Sequence, residues 1–160
     1  MTKVGYSDAS WTTLKLTYTY YDNTNNRLES KTLAAADANG NIYYHYIDEA
    51  ASRMDKSKRS VADADGCLSY TYTYSGTTTT RVIGKVGYSD ASWTTVKVTY
   101  VLFDTTTNRM KSKTLAAADA SGNIYYEFLD EDYASQGFGR LTKSRPSVVD
   151  SDGCLSYSYA

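Results

Sequence analysis

The side chains in this sequence best suited to chemistry are aromatic rings set at turns and carboxylates spaced two residues apart. Trp11 and Trp93 each follow an Asp-Ala-Ser triplet, Tyr43 and Tyr125 each follow Asn-Ile, and Tyr133 and Phe138 sit among acids and glycines between positions 130 and 140. A flat ring held at a turn or on the outer face of a strand can stack on a sugar or on a partner protein, which makes these six the binding candidates. For the two tryptophans the competing expectation is local packing, each ring capping a neighbouring hairpin. Asp63-Ala64-Asp65-Gly66 and Asp150-Ser151-Asp152-Gly153 resemble the opening of a calcium loop, in which alternate carboxylates wrap the cation. No Glu follows at the spacing that closes an EF-hand ligand set, and an Asp folding onto nearby backbone N–H groups accounts for the same residues. No metal and no other cofactor are expected.

His45 is the sole histidine, and its counterpart in the second half of the chain is Glu127. A lone imidazole without a partner supplies neither a triad nor a metal site, so no enzymatic activity is expected. Cys67 and Cys154 occupy one slot in the two halves, just after Asp-Gly, and alternation places Cys67 opposite Leu68 and Tyr70. A disulfide needs its Cα atoms within about 7 Å, whereas equivalent positions in successive repeats are held apart by the repeat translation. Free thiols or an intermolecular bond are therefore expected in preference to an internal one.

The elements that position these residues are hairpins. Asp-initiated turns begin at Asp8, Asp37, Asp63, Asp90, Asp119 and Asp150, at spacings of 26 to 31 residues, within the range of repeat architectures. Gly40, Gly66, Gly122 and Gly153 hold the position that needs positive φ; in the other two turns Trp11 and Trp93 stand in that slot. Residues 3–49 and 85–131 are identical at 34 of 47 positions, a duplication offset by 82 residues. Two blocks follow, 1–84 and 85–160, each of three hairpin units. Every unit reads strand, turn, strand, loop, with an Arg opening one strand, as in Arg27-Leu28, Arg53-Met54, Arg81-Val82, Arg109-Met110 and Arg140-Leu141.

The composition agrees: Tyr contributes 17 residues against a single Pro, and Thr is abundant, which suits pleated, half-buried surfaces. We expect an all-β fold, an antiparallel β-hairpin repeat array forming a spiral or solenoid-like sheet of about twelve strands. On one face alternate Leu14, Leu16, Tyr18 and Tyr20, and likewise Leu68, Tyr70, Tyr72, Tyr74, Val96, Val98 and Tyr100. That is the pattern of a core built from tyrosines; the alternative is a ladder of rings for stacking sugars.

Tyr21-Asp22 with Arg27-Leu28, the Asp37-Ala38-Asn39-Gly40 turn and Gly139-Arg140-Leu141 resemble the RHS or YD-repeat proteins. The resemblance implies long hairpins joined in one spiralling sheet on a secreted or surface protein, serving as a shell or spacer. Most units here place four residues between the Asp and the Arg and lack the family's Gly, and the period is longer. The family's self-cleavage motif has no counterpart, since Arg145 precedes the only Pro, Pro146. Asn39-Gly40-Asn41-Ile42-Tyr43-Tyr44 also resembles the choline- and glucan-binding cell-wall repeats, which implies a grip on carbohydrate through aromatic side chains.

A net charge of -1 with dispersed Lys and Arg lacks the basic stripe of a nucleic-acid binder. No apolar run reaches membrane length, so no membrane insertion is expected. The expected role is a non-enzymatic structural repeat protein, extracellular or on the cell surface, with a carbohydrate-binding module as the alternative. The expected partners are other copies of the chain, then glycans. Lys3, Val4 and Tyr6 at one end and Leu155, Tyr157 and Tyr159 at the other are the expected edges for head-to-tail assembly. The junction of 67–74 with 81–88 is its template.

Overall fold

The computed structural model describes residues 1–21, 27–47, 53–77, 79–104, 109–131 and 138–159. Period-two alternation of Thr, Tyr, Val and Leu gives twelve strands. They are β1 (Thr2–Tyr6), β2 (Leu14–Tyr20), β3 (Leu28–Leu33), β4 (Asn41–Tyr46), β5 (Met54–Arg59) and β6 (Ser69–Tyr74), then β7 (Val82–Tyr88), β8 (Val96–Leu102), β9 (Met110–Leu115), β10 (Asn123–Phe128), β11 (Leu141–Pro146) and β12 (Tyr157–Ser158). They form one antiparallel sheet in strict chain order, with β1 and β12 as its edges. The expected all-β hairpin array of about twelve strands is what the chain adopts. Two compact units divide it, residues 1–72 with 88–94, and residues 73–87 with 95–160.

The turns are built by one device. In the four Asp-x-x-Gly turns the Asp carboxylate accepts two backbone N–H groups, as Asp37 does from Asn39 (2.9 Å) and Asn41 (3.0 Å), and the Gly takes positive φ, 79° at Gly40. Trp11 and Trp93 have φ of 55° and 58°, so they do occupy the glycine slot. The opposite ends are closed by backbone bonds to the recurring Arg: Tyr21 N–H donates to the Arg27 carbonyl (3.0 Å), Ile47 to Arg53 (2.8 Å), Phe103 to Arg109 (2.9 Å) and Leu129 to Arg140 (3.0 Å).

The tyrosine core needs correction. Among the described residues the buried hydrophobic side chains are Cys67, Tyr70 and Val98, while Leu14 and Val96 are exposed. Tyr18, Tyr20, Tyr44, Tyr46, Tyr72, Tyr74, Tyr100 and Tyr126 are half-buried. The described strands lie in one sheet and no described helix covers them, so neighbouring side chains on the same face supply most of the burial. Tyr18–Tyr20 and Tyr70–Tyr72 show this, with ring centroids 6.4 Å apart in both pairs. Cys67 also departs from expectation. It lies in the turn ahead of β6, where alternation does not apply, and its N–H (3.0 Å) and the Tyr70 hydroxyl both reach Asp63. Neither cysteine is in a disulfide.

Candidate functional site

In the first unit the duplication places a tryptophan on a prepared seat. The Asp90 turn aims Trp93 across β4 and β5, where its ring lies 6.1 Å from the Tyr43 ring at 54°. Lys58 Nζ stands 4.3 Å from the Trp93 centroid and Lys56 Nζ 5.3 Å; Lys58 also lies 5.1 Å from the Tyr43 ring. The indole Nε1–H donates to the Ser57 carbonyl at 3.4 Å. Quadrupole attraction of an ammonium to a ring is worth about 0.5–1 kcal/mol at exposed sites, and two ammonium groups converge here. The fixed register of β4 on β5, with Tyr43 opposite Lys58, brings these side chains together. Trp93 thus caps a neighbouring hairpin, as one expectation had it.

Trp11 does not share that fate. Its turn is held by Asp8, which accepts N–H bonds from Ser10 (2.9 Å), Thr12 (3.2 Å) and Thr13 (2.6 Å). The bonds from Thr12 first, and from Thr13 beside it, hold the Asp8 carboxyl well below its usual value. The indole is nevertheless 75 % exposed, on a backbone conformation that costs an ordinary L-residue about 1–2 kcal/mol.

The second unit repeats the seat with changed side chains. Tyr125 stands for Tyr43, Lys143 for Lys56, Ser144 for Ser57 and Arg145 for Lys58. Arg145 Cζ lies 5.5 Å from the Tyr125 centroid. Glu127, in the place of His45, accepts from Tyr125 (2.9 Å) and from Lys143 (3.0 Å), and Lys143 beside it draws its carboxyl below the usual value. Tyr125, Lys143, Ser144 and Arg145, with Ser156, Tyr157 and Ser158, line a groove of about 280 Å³. Phe138 belongs to a different cluster, its ring 5.1 Å from Phe128 beside Met110 and Leu141. Tyr133 falls outside the described residues, as does most of the loop that carries it.

His45 corrects a second expectation. Its Nδ1 lies 2.5 Å from an Asp55 carboxylate oxygen, and the Tyr21 ring meets it edge-on at 6.4 Å. The register shift beside His45 in the β4–β5 pairing brings Asp55 within reach, which sequence spacing does not reveal. At the sheet edges Lys3, Val4, Tyr6, Leu155 and Tyr159 are exposed; Tyr157 is half-buried, and its hydroxyl is held by Asp150.

That last bond belongs to a set the sequence reading missed. Tyr44 donates to Asp37, Tyr70 to Asp63, Tyr126 to Asp119 and Tyr157 to Asp150, each Tyr seven residues after its Asp. The signal was present as Asp-x₆-Tyr in all four glycine turns; the two tryptophan turns carry Lys15 and Lys97 instead. Because both oxygens of Asp63 and of Asp150 accept hydrogen bonds within their own hairpin, the structure accounts for these acids as turn braces. Among the described residues no group of three or more His, Cys, Asp or Glu is placed to hold a metal ion, and no helix is long and apolar enough to cross a membrane.

No protein-family model matches the chain, and no curated protein matches it in sequence.

Proposed function

We propose that the chain is a non-enzymatic structural repeat protein of the cell exterior, a shell, spacer or fibre-forming segment whose sheet continues from one copy into the next. The observation that carries this is a junction inside the first unit whose two sides are both repeated at the sheet edges. There Leu68 N–H donates to the Tyr88 carbonyl (2.8 Å), Ser69 Oγ to the Asp90 carbonyl (2.6 Å), and the Thr71 and Tyr88 hydroxyls lie 3.2 Å apart. Leu155, Ser156 and Ser158 at the β12 edge match Leu68, Ser69 and Thr71. Tyr6 and Asp8 at the β1 edge match Tyr88 and Asp90. Leu155 is 56 % exposed and Tyr6 38 %.

Unpaired strand edges template further pairing, and a contact between two different surfaces that does not close on itself yields a filament. The exterior setting rests on the RHS-like residues Tyr21, Arg27, Leu28 and Gly139-Arg140-Leu141. Sedimentation of the intact chain against Leu155→Pro, which removes the N–H assigned to the Tyr6 carbonyl, tests the reading. Concentration-dependent growth in the intact chain and its loss in the variant are expected; monomers throughout reject strand addition.

The exposed Trp11 favours a second reading, the carbohydrate-binding module. Saturable retention of a monomeric chain on polysaccharide, abolished by Trp11→Ala, would select it.

A further inference from the structure

We infer that Trp11 is the anchor of this assembly and that its seat is the Tyr125–Lys143–Ser144–Arg145 groove of a second copy of the chain. This rests on the strand-addition reading and adds to it a named ring, a named socket and a direction.

The argument starts from the occupied seat. Trp93 rests on Tyr43, beneath Lys56 and Lys58, with Nε1 donating to the Ser57 carbonyl. Each component has a counterpart in the duplicated chain. The ring's counterpart is Trp11, 82 residues earlier, with the same eleven-residue sequence around it (3–13 and 85–95) and nearly the same positive φ. The seat's counterpart is Tyr125 with Lys143, Ser144 and Arg145. The offset there is 82 residues for the Tyr and 87 for the others, because the loop before Arg140 is longer. The ring lies near one edge of the sheet and the seat near the other, and β1 and β12 are those edges.

The chemistry of the seat is kept. A cation still lies over the tyrosine ring, Arg145 at 5.5 Å where Lys58 stands at 5.1 Å, and guanidinium pairs with aromatic faces at least as readily as ammonium. Ser144 is buried, as Ser57 is, and holds the same register, opposite Tyr126 and Tyr157 as Ser57 is opposite Tyr44 and Tyr70. The Tyr159 hydroxyl lies 2.9 Å from Ser144 Oγ, as Tyr72 lies 3.1 Å from Ser57 Oγ, so the strand behind the seat is placed alike. The groove, about 280 Å³, has room for an indole, given that a cavity of about 150 Å³ accepts benzene.

Strain gives a separate argument. A bulky residue at positive φ persists where the surroundings over-determine it. For Trp93 those surroundings are Tyr43, Lys56 and Lys58; for Trp11, three-quarters exposed, the groove of a second copy supplies their counterparts Tyr125, Lys143 and Arg145, with Lys143 bonded to Glu127. The bonds that follow are Trp11 Nε1–H to the Ser144 carbonyl, Leu155 N–H to the Tyr6 carbonyl and Ser156 Oγ to the Asp8 carbonyl.

The test uses two single variants and their mixture, followed by sedimentation velocity over a range of concentrations. Trp11→Ala removes the ring and Tyr125→Ala removes the floor of the seat, and each alone is expected to weaken association about ten-fold or more. An equimolar mixture is expected to form dimers that do not extend, because the Trp11 of one variant finds the intact seat of the other. Misfolding of either variant would leave the mixture monomeric, so dimers in the mixture identify a head-to-tail socket. Intact chains that assemble while Trp11→Ala assembles equally well would overturn the socket and leave strand addition standing. An intact chain that stays monomeric at every concentration would remove both. Retention on polysaccharide lost in Trp11→Ala, with assembly unchanged, would reassign the ring to a glycan.

Discussion

Trp11 and Trp93 carry one sequence context and one backbone conformation, yet they stand in opposite energetic positions. Each bears the cost of positive φ; only Trp93 recovers it within its own unit, through Tyr43, Lys56, Lys58 and the Ser57 carbonyl. Substitution by the residue that other turns use should therefore act in opposite directions. Trp11→Gly is expected to stabilise the monomer by about 1 kcal/mol through relief of strain, partly offset by the greater freedom of unfolded glycine. Trp93→Gly is expected to destabilise it by about 1–3 kcal/mol, since ring packing and two cation–π contacts are lost. Urea unfolding of both variants under monomeric conditions checks the pair. Equal shifts would mean that the Trp93 seat contributes nothing. A stabilising Trp11→Gly that also lost assembly would set that strain against function.

At the scale of elements, each hairpin is fastened at both ends. On the turn side the Asp takes two backbone N–H groups, or three at Asp8, and, in the glycine turns, a tyrosine hydroxyl from the strand that follows, clamping turn to strand. On the loop side a backbone bond reaches the Arg carbonyl. In the second unit the Arg side chain also meets the Asp of the next loop, Arg81 with Asp104 at 2.8 Å and Arg109 with Asp130 at 3.0 Å. Of the four tyrosine clamps, Tyr70 is the buried one, 3 % exposed against a buried Cys67. Tyr70→Phe leaves an oxygen of the half-buried Asp63 carboxylate without its donor and is expected to cost about 1.5–3 kcal/mol, the range for a hydrogen bond to a charged group. Tyr157→Phe, nearer solvent, should cost less. A Tyr70→Phe midpoint equal to that of the intact chain in urea would refute the clamp.

For the whole molecule the same bonds set the response to pH. Asp37, Asp119 and Asp150 are held below the usual 3.8 first by their tyrosine partners, Asp8 by backbone N–H groups and Asp104 by Arg81. Glu127 and Glu131 lie below 4.5 through Lys143 and Arg140. Depressed carboxyls contribute stability above their unfolded values, and it is lost as pH falls through the folded ones. Tyr43, Tyr44, Tyr46, Tyr70, Tyr72, Tyr125 and Tyr126 are all raised above 10.0, chiefly by burial, and Tyr157 chiefly by Asp150. The unfolded chain ionises these phenols first, so stability should fall as pH climbs past 10. Urea midpoints are expected to be flat between about pH 4.5 and 10 and to fall on both sides. A midpoint unchanged above pH 10 would contradict the packing of the tyrosine face.

What the sequence determined is what short-range chemistry decides. The six turns, the twelve strands and the positive φ of both tryptophans follow from Asp, Gly and alternation acting within a few residues. Even the missed tyrosine clamps were legible at a spacing of seven. The tertiary structure decided which rings are covered, because cover comes from another hairpin: Trp93 reaches the Ser57 carbonyl across 36 positions. It also paired His45 with Asp55 through a register shift, and it left most of the tyrosine face half-buried. Alternation states which residues share a face; only the arrangement of the sheet states what, if anything, lies over that face.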